Sequence, residues 1–563
     1  MSRWFVNIPS EMAAKRRDKR PAKRIDNSGH QGLFAATQWV VAEDRPEPKG
    51  KVIFLNPSPR GIWLGCKRLE DHLRECGEAE ALIVREFVGG LNWESFENRY
   101  QGGGRPAYHP ALMVSLILFG LMQGRSSLRG LEKIAQMDVR CWWLTGGLQP
   151  DYTAICRFLK LHGEELTASF FEALTREVIH RVGSNGTLAG DGTVVQAAAS
   201  RYRRLQQEVA LEQAREAREQ AQAKPEDQQL QEQAAAAEQV ARVVEQRKAA
   251  REKSRRKGEI QVSPREPEAV IQPMKNKVFA PAYRPSVLAN GDRVVVAQGI
   301  HPTSETVLVE GLLAQSKRVN GAPEVLMLDA GYFEGAVLGL GVEDPDLKHL
   351  LCPEGKVNGE GPWERPSKSA VPKSVFEYEE GQDRYRCPAG EYLTPREKGT
   401  TERGKGYVVY RSKACRKCAL RKECTSGQRG REIKRYEDEE LKEAMRAVMR
   451  QPGAQRLYRR RQAIVEPVFA ELQQLQGLRR FRRYGLRAVA LEFSLHIMAH
   501  NLRRLIVLTA KRAGGPLGVP FPGIFGSVCR TIRDLLNFPR LLGSFRRLRA
   551  HGMPHQGPVS FCA

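Results

Sequence analysis

Three carboxylates stand in short apolar surroundings at widely separated points of the chain. Asp191 lies in Gly190-Asp191-Gly192-Thr193, Asp329 in Leu328-Asp329-Ala330-Gly331-Tyr332, and Glu466 in Val465-Glu466-Pro467-Val468-Phe469. The two aspartates close runs that read as buried strands, and the glutamate lies in helical sequence that leads into an arginine-rich stretch. Carboxylate oxygens are hard ligands that suit Mg2+ or Mn2+. Two such ions roughly 3.5–4 Å apart can activate a hydroxyl and stabilise the leaving oxygen of a phosphodiester. Each acid alone is a weak signal, because strand ends often carry Asp for turn formation. Together, in a basic protein, they point to divalent metal held against nucleic-acid phosphates.

Around these residues the chain extends to 563 positions, enough for three or four structural units. Lys and Arg number 90 against 65 Asp and Glu, a formal net charge of +25 that favours polyanionic partners. The longest apolar run, Leu112 to Met122, is too short to span a bilayer. The basic N-terminus lacks the apolar core of a signal peptide, so no membrane partner is expected and the protein reads as cytoplasmic and nucleoid-associated. An odd count of 11 cysteines argues against a disulfide framework.

The elements that must position the acids follow from periodicity. Residues 1–30 read as a basic disordered arm. Residues 31–185 read as a helical DNA-binding or dimerisation region, with Pro110 opening an apolar helix, Ser126 or Ser127 capping a second, and Pro150-Asp151 opening a third. Helix-turn-helix binding and plain bundle packing both fit. Residues 203–275 form a charged helical insertion, better described as solvated helix than as coiled coil. Asn290-Gly291-Asp292 between Val-rich runs signals a hairpin. The order is strand with Asp, hairpin, helix, strand with Asp, then helix with Glu. That order predicts an α/β fold with an RNase H-like mixed sheet built from 186–202, 276–352 and 436–512. Residues 353–435 are a Cys-rich insertion, and the basic tail 513–563 has no legible role.

The stretch Leu457-Tyr458-Arg459-Arg460-Arg461 through Val465-Glu466-Pro467-Val468-Phe469, with Gly477-Leu478-Arg479-Arg480-Phe481-Arg482-Arg483-Tyr484-Gly485, resembles the C-terminal catalytic block of bacterial insertion-sequence transposases with a DDE active site. His500-Asn501-Leu502-Arg503 resembles that block's closing helix, Asp329-Ala-Gly-Tyr332 the second-Asp motif and Asp191-Gly-Thr-Val the first. The likeness spans roughly residues 80–510. It implies that Asp191, Asp329 and Glu466 hold Mg2+ or Mn2+. It also implies cleavage at the element's ends, transfer of the freed 3′-hydroxyl to target DNA, and DNA contacts by Tyr458, Arg461 and Arg503. Many relatives have Lys seven residues after the Glu, where this chain has Gln473; Arg479 or Arg480 could substitute. The implied partners are double-stranded DNA (terminal inverted repeats and target) and a second copy of the chain. A captured transposase that only binds DNA, or a nuclease without strand transfer, are the alternatives.

Three further groups bear on function. Cys387, Cys415, Cys418 and Cys424 include a Cys-x2-Cys half-site and could hold structural Zn2+, or could be reduced thiols. Arg479, Arg480, Arg482 and Arg483 bracket Phe481 and suit phosphates. Glu492, His496 and His500 recur every four residues, which reads as ordinary core helix rather than a metal site.

Overall fold

A computed structural model describes residues 52–102, 105–253, 259–274, 277–355, 371, 373–401, 404–425 and 427–512. The basic arm expected at 1–30 and the tail at 513–563 lie outside the described residues. Two compact units divide the chain, Met1–Ile506 and Val507–Ala563, and the candidate site lies wholly in the first.

The N-terminal region is helical: α1 (Ala79–Gly89), α2 (Pro110–Met122), α3 (Leu128–Met137), α4 (Val139–Thr145), α5 (Tyr152–Leu161) and α6 (Ser169–Val182). Every residue of α2 is buried, as a helix apolar all round requires, and α1, α3 and α4 pack about it. Ser127 caps α3 through Gly130 N–H and Asp151 caps α5 through Ala154 N–H, each satisfying an otherwise orphaned donor. In α5, Ile155, Phe158 and Leu159 are buried while Lys160 is exposed. Helix α6 packs on the helix that follows the hairpin, so the helical region runs onto the sheet without a break.

The main sheet contains β1 (Thr187–Gly192), β2 (Phe279–Asn290), β3 (Val295–His301), β4 (Val325–Met327) and β5 (His349–Leu351), in the order β3-β2-β1-β4-β5. β2 runs antiparallel to both β1 and β3, whereas β4 runs parallel to both β1 and β5. The hairpin turn forms where Asn-Gly predicts it, with Arg293 taking the left-handed conformation at φ 64°. Val270–Pro273 and Val195–Gln196 also pair with β2, so the sheet regains the chain at residue 270 rather than 276 as expected.

Between them, α7 (Gln207–Ala223) and α8 (Gln228–Lys253) pack on each other. The insertion expected to be solvated helix is only partly so. Ala210, Val240, Val244, Ile260 and Val262 form a small apolar cluster of their own. Helices α9 (Val309–Asn320) and α10 (Gly335–Glu343) flank the sheet's later strands. The Cys-rich segment is a second sheet, an antiparallel meander of β6 (Glu377–Glu379), β7 (Arg384–Arg386), β8 (Tyr392–Thr400), β9 (Gly406–Arg411) and β10 (Glu432–Tyr436). Tyr385, Leu393, Tyr410 and Ile433 fill its core.

The chain ends its described part in α11 (Glu439–Arg450), α12 (Arg460–Ala470) and α13 (Leu486–Arg512). The sequence around Pro467 fits either a helix beginning near Glu466 or one kinked there; α12 begins at Arg460, with Pro467 in its interior, as the second of these requires. An interior proline leaves the carbonyl four residues earlier without its donor. Here the Arg293 guanidinium, from the hairpin turn, donates to that Ala463 carbonyl at 3.0 Å. A π-helical turn, Glu471–Leu475, follows directly.

Candidate active site

Strand register places the two aspartates together. β1 and β4 are parallel neighbours with Ala189 opposite Met327, so Asp191 and Asp329 each lie two residues further on. Neighbouring strands lie about 4.8 Å apart, so the two acids stand side by side at the same end of this strand pair, Asp191 still paired with Val287 of β2 and Asp329 just past β4. Asp329 Oδ1 accepts from Gly331 N–H at 2.8 Å, which fixes its carboxylate as the cap of the following turn.

Arg461 enters between them from the first turn of α12. Its guanidinium donates to the Gly190 carbonyl at 2.9 and 3.2 Å, and Nη2 lies 3.0 Å from Asp191 and 3.9 Å from Asp329. The Arg461 side chain is only 8% exposed, so its charge is directed at this acid pair. Burial pushes the Asp191 carboxyl above its usual range; Arg461 opposes the rise and Asp329 adds to it.

A fourth acid that the sequence did not single out belongs here. Burial raises Glu305 as well, opposed by Arg284 at 3.1 Å and reinforced by Asp329 and Asp191. A side chain on Gly192 would overlap the Glu305 carboxylate, so the glycine after Asp191 is what admits it. A lone acid ahead of a helix carries no motif. Only the closure of the sheet shows its place.

The remaining expected residues divide. Glu466 is exposed on α12, off the buried face made by Arg461, Ile464, Val465 and Val468. Among the described residues, no three His, Cys, Asp or Glu side chains already stand where one ion could take all of them. The donor chemistry of Asp191 and Asp329 fits Mg2+ or Mn2+, because both carboxylates already face one cationic group. Glu466 does not complete the set here.

Tyr458 is half-buried near the acids. Three arginines expected on DNA are engaged by the protein itself, because backbone carbonyls and carboxylates claim them, although Arg480 stays exposed. Arg461 is held as above, Arg480 donates to the carbonyls of Ala197, Ala198 and Ala199, and Arg503 donates to that of Met122. Arg483 is mostly enclosed beside Glu492. Arg482 is exposed, with Nε on Ser126 at 3.0 Å. Arg479 is exposed and donates to the Gln473 carbonyl and the Gln474 side chain at 3.4 and 2.7 Å. A guanidinium thus stands beside the position where relatives place Lys.

The stripe on α13 organises this loop. Glu492 accepts from the backbone N–H of Arg482 and Arg483, and His496 Nδ1 meets Gln476 Oε1 at 2.7 Å. His500 donates to the Arg293 carbonyl and lies 2.9 Å from Glu471. Asn501 pairs with both backbone groups of Val295 on the edge strand β3, acting as a substitute strand. Burial lowers His496 to about 3, so the fold holds it neutral. The unfolded chain binds its proton below the ordinary value of 6.5, so stability is lost as pH falls from 6.5 towards 3. Urea midpoints at pH 7 and pH 5 should therefore differ more in the wild type than in His496→Gln; equal differences would show that His496 contributes nothing.

Cys387, Cys415, Cys418 and Cys424 line one small cavity of about 40 Å3 beside the core of the second sheet. Burial raises the Cys424 thiol, with the other three thiols adding to the rise. Four thiols around one apolar void match in kind the donor set of structural zinc.

Two family models match the chain, a transposase domain over residues 71–161 and a transposase DDE domain over residues 386–506. No curated protein matches it significantly. These matches define the class: the chain carries transposase domains, and its likeness to insertion-sequence transposases is shown. More particularly, the DDE-domain match takes in the four cysteines, Arg461, Glu466 and the α13 stripe, while Asp191 and Asp329 lie outside it. No helix among the described residues is long and apolar enough to cross a membrane.

Proposed function

We propose that this transposase cleaves the ends of its element and joins the freed 3′-hydroxyls to target DNA, using Asp191 and Asp329 as ligands for Mg2+ or Mn2+. The observation that carries the reading is the acid pair itself, side by side at the ends of two parallel strands around one buried guanidinium. The strand order β3-β2-β1-β4-β5, with three antiparallel strands followed by two parallel ones, supports an RNase H-like core. Bound metal would polarise the scissile phosphate and lower the pKa of the attacking hydroxyl. In the first reaction water attacks phosphorus and the 3′-oxygen leaves. In the second the 3′-oxygen attacks a target phosphorus, its proton is lost, and the target's own 3′-oxygen leaves. Arg461 holds the acids together in the protein alone, and release of its guanidinium frees them for the metal. On this reading Glu466 would be the third ligand, as the resemblance implies. Arg479 and Arg482 contact phosphates, Arg479 in place of the relatives' Lys. Pairing of two ends makes a homodimer the working form.

Glu466's exposure favours a second reading, a protein that binds DNA without cutting it. Incubation with Mg2+ and duplexes carrying the element's ends separates the two. Nicked or excised ends support the transposase; tight binding with no Mg2+-dependent product supports the binder.

The four cysteines hold a structural Zn2+ that closes the second sheet, whose own apolar core is small. Purified protein should contain about one zinc per chain by atomic emission, and Cys418→Ser should lose it. Metal-free protein of unchanged stability would contradict this.

A further inference from the structure

The segment that leaves Asp191 ends in a basic, aromatic patch that the acid site does not use. Beyond β1 the chain is clamped: Val195–Gln196 pairs with β2, Phe481 N–H donates to the Gln196 carbonyl at 2.9 Å, and Arg480 takes the next three carbonyls. Three residues after that clamp, Tyr202 is 79% exposed, the most exposed large apolar or aromatic side chain among the described residues. The Arg201 guanidinium lies over its ring, 4.6 Å from the centroid. Arg204 donates to the carbonyl of Phe279, which is itself 52% exposed. Arg203 and Lys277 are exposed alongside. A cleft of about 570 Å3 opens between Arg201, Tyr202, Arg204 and Val209, with no acidic side chain in its wall.

A single exposed tyrosine is ordinary. Two exposed aromatics set among four cations, on a segment clamped to the catalytic strands, are not. Aromatic faces stack on unpaired bases while cations follow the backbone, a pairing that holds single strands with little regard for sequence. We propose that Tyr202 and Phe279 stack on unpaired bases of the DNA while Arg201, Arg203, Arg204 and Lys277 meet its phosphates. This rests on the reading of the protein as one that acts on DNA. Eight residues of β2 separate Phe279 from Val287, the partner of Asp191, a distance of about 26 Å at the usual strand rise.

The test uses the full chain and a fluorescein-labelled DNA of mixed sequence, about 30 nucleotides long, single-stranded or as a duplex, with binding followed by anisotropy. The doubly substituted Tyr202→Ala, Phe279→Ala protein should bind the single strand at least about 30-fold more weakly and the duplex within about 2-fold of wild type. Both side chains are exposed, so the fold should survive, and circular dichroism checks it. Arg203→Gln should weaken both probes and lower the salt slope by about one. Unchanged single-strand affinity, or equal loss on both probes, would overturn the proposal. Failure of the transposase reading shows elsewhere, as a wild type that makes no Mg2+-dependent product while the double substitution still weakens single-strand binding selectively.

Discussion

Asp329→Asn should abolish Mg2+-dependent cleavage and joining, with a fall of roughly a thousandfold or more in rate, about 4 kcal/mol of transition-state stabilisation. The substitution keeps the shape and the oxygen that caps the turn through Gly331 N–H, so folding should change little. What it removes is charge. The metal would then lose one of its two strand-end carboxylates, and Arg461 would lose one of its two anionic partners. DNA binding, which depends on the net charge of +25, should remain within a few-fold of wild type. Assays of cleavage and of duplex affinity on the same preparation check both halves. Retained cleavage would remove Asp329 from the site.

Arg461→Met should destabilise the protein by about 3 kcal/mol, the usual scale for breaking a buried ion pair from one side. Asp191 would stay buried with Asp329 and Glu305 close by and no guanidinium between them. The sign with pH follows from Asp191, whose folded-state pKa is already raised. The folded form holds that proton where the unfolded chain has lost it, so stability falls as pH rises through this range. Removing Arg461 takes away the opposing charge and steepens the fall. The variant should therefore lose more stability at pH 7 than at pH 5, and millimolar Mg2+ should raise its Tm more than that of wild type. Thermal melts at both pH values, with and without Mg2+, decide the matter. A variant as stable as wild type and no more responsive to Mg2+ would show that Arg461 does not hold the acids.

These effects turn on contacts that the sequence revealed unevenly. Asp191 and Asp329 were legible because each follows a short apolar run, and parallel register then sets them side by side. The hairpin was legible from Asn290-Gly291, and the starts of α3 and α5 from Ser127 and Asp151, because caps and turns are local chemistry. Glu305 was not, since its part depends on Gly192 leaving room across the sheet. The hold that the fold itself takes on Arg461, Arg480 and Arg503 was hidden for a similar reason. A basic run looks alike whether its guanidinium groups meet phosphates or carbonyls supplied by residues hundreds of positions away. Pro467 left a helix start and a kinked helix equally open, because the donor that relieves an interior proline comes from Arg293 in the hairpin, far away in sequence. The second sheet was obscured by glycines and cysteines that interrupt its alternation, although Tyr385, Leu393 and Tyr410 give it a core.

The most direct measurement is joining of a pre-cleaved end, a duplex with a free 3′-hydroxyl at the element's terminus, to plasmid DNA in Mg2+. The expected result is covalently joined product with wild type and none with Asp329→Asn. Joining that survives in Asp329→Asn, or plasmid nicking by wild type with no joined product, would contradict strand transfer by this acid pair.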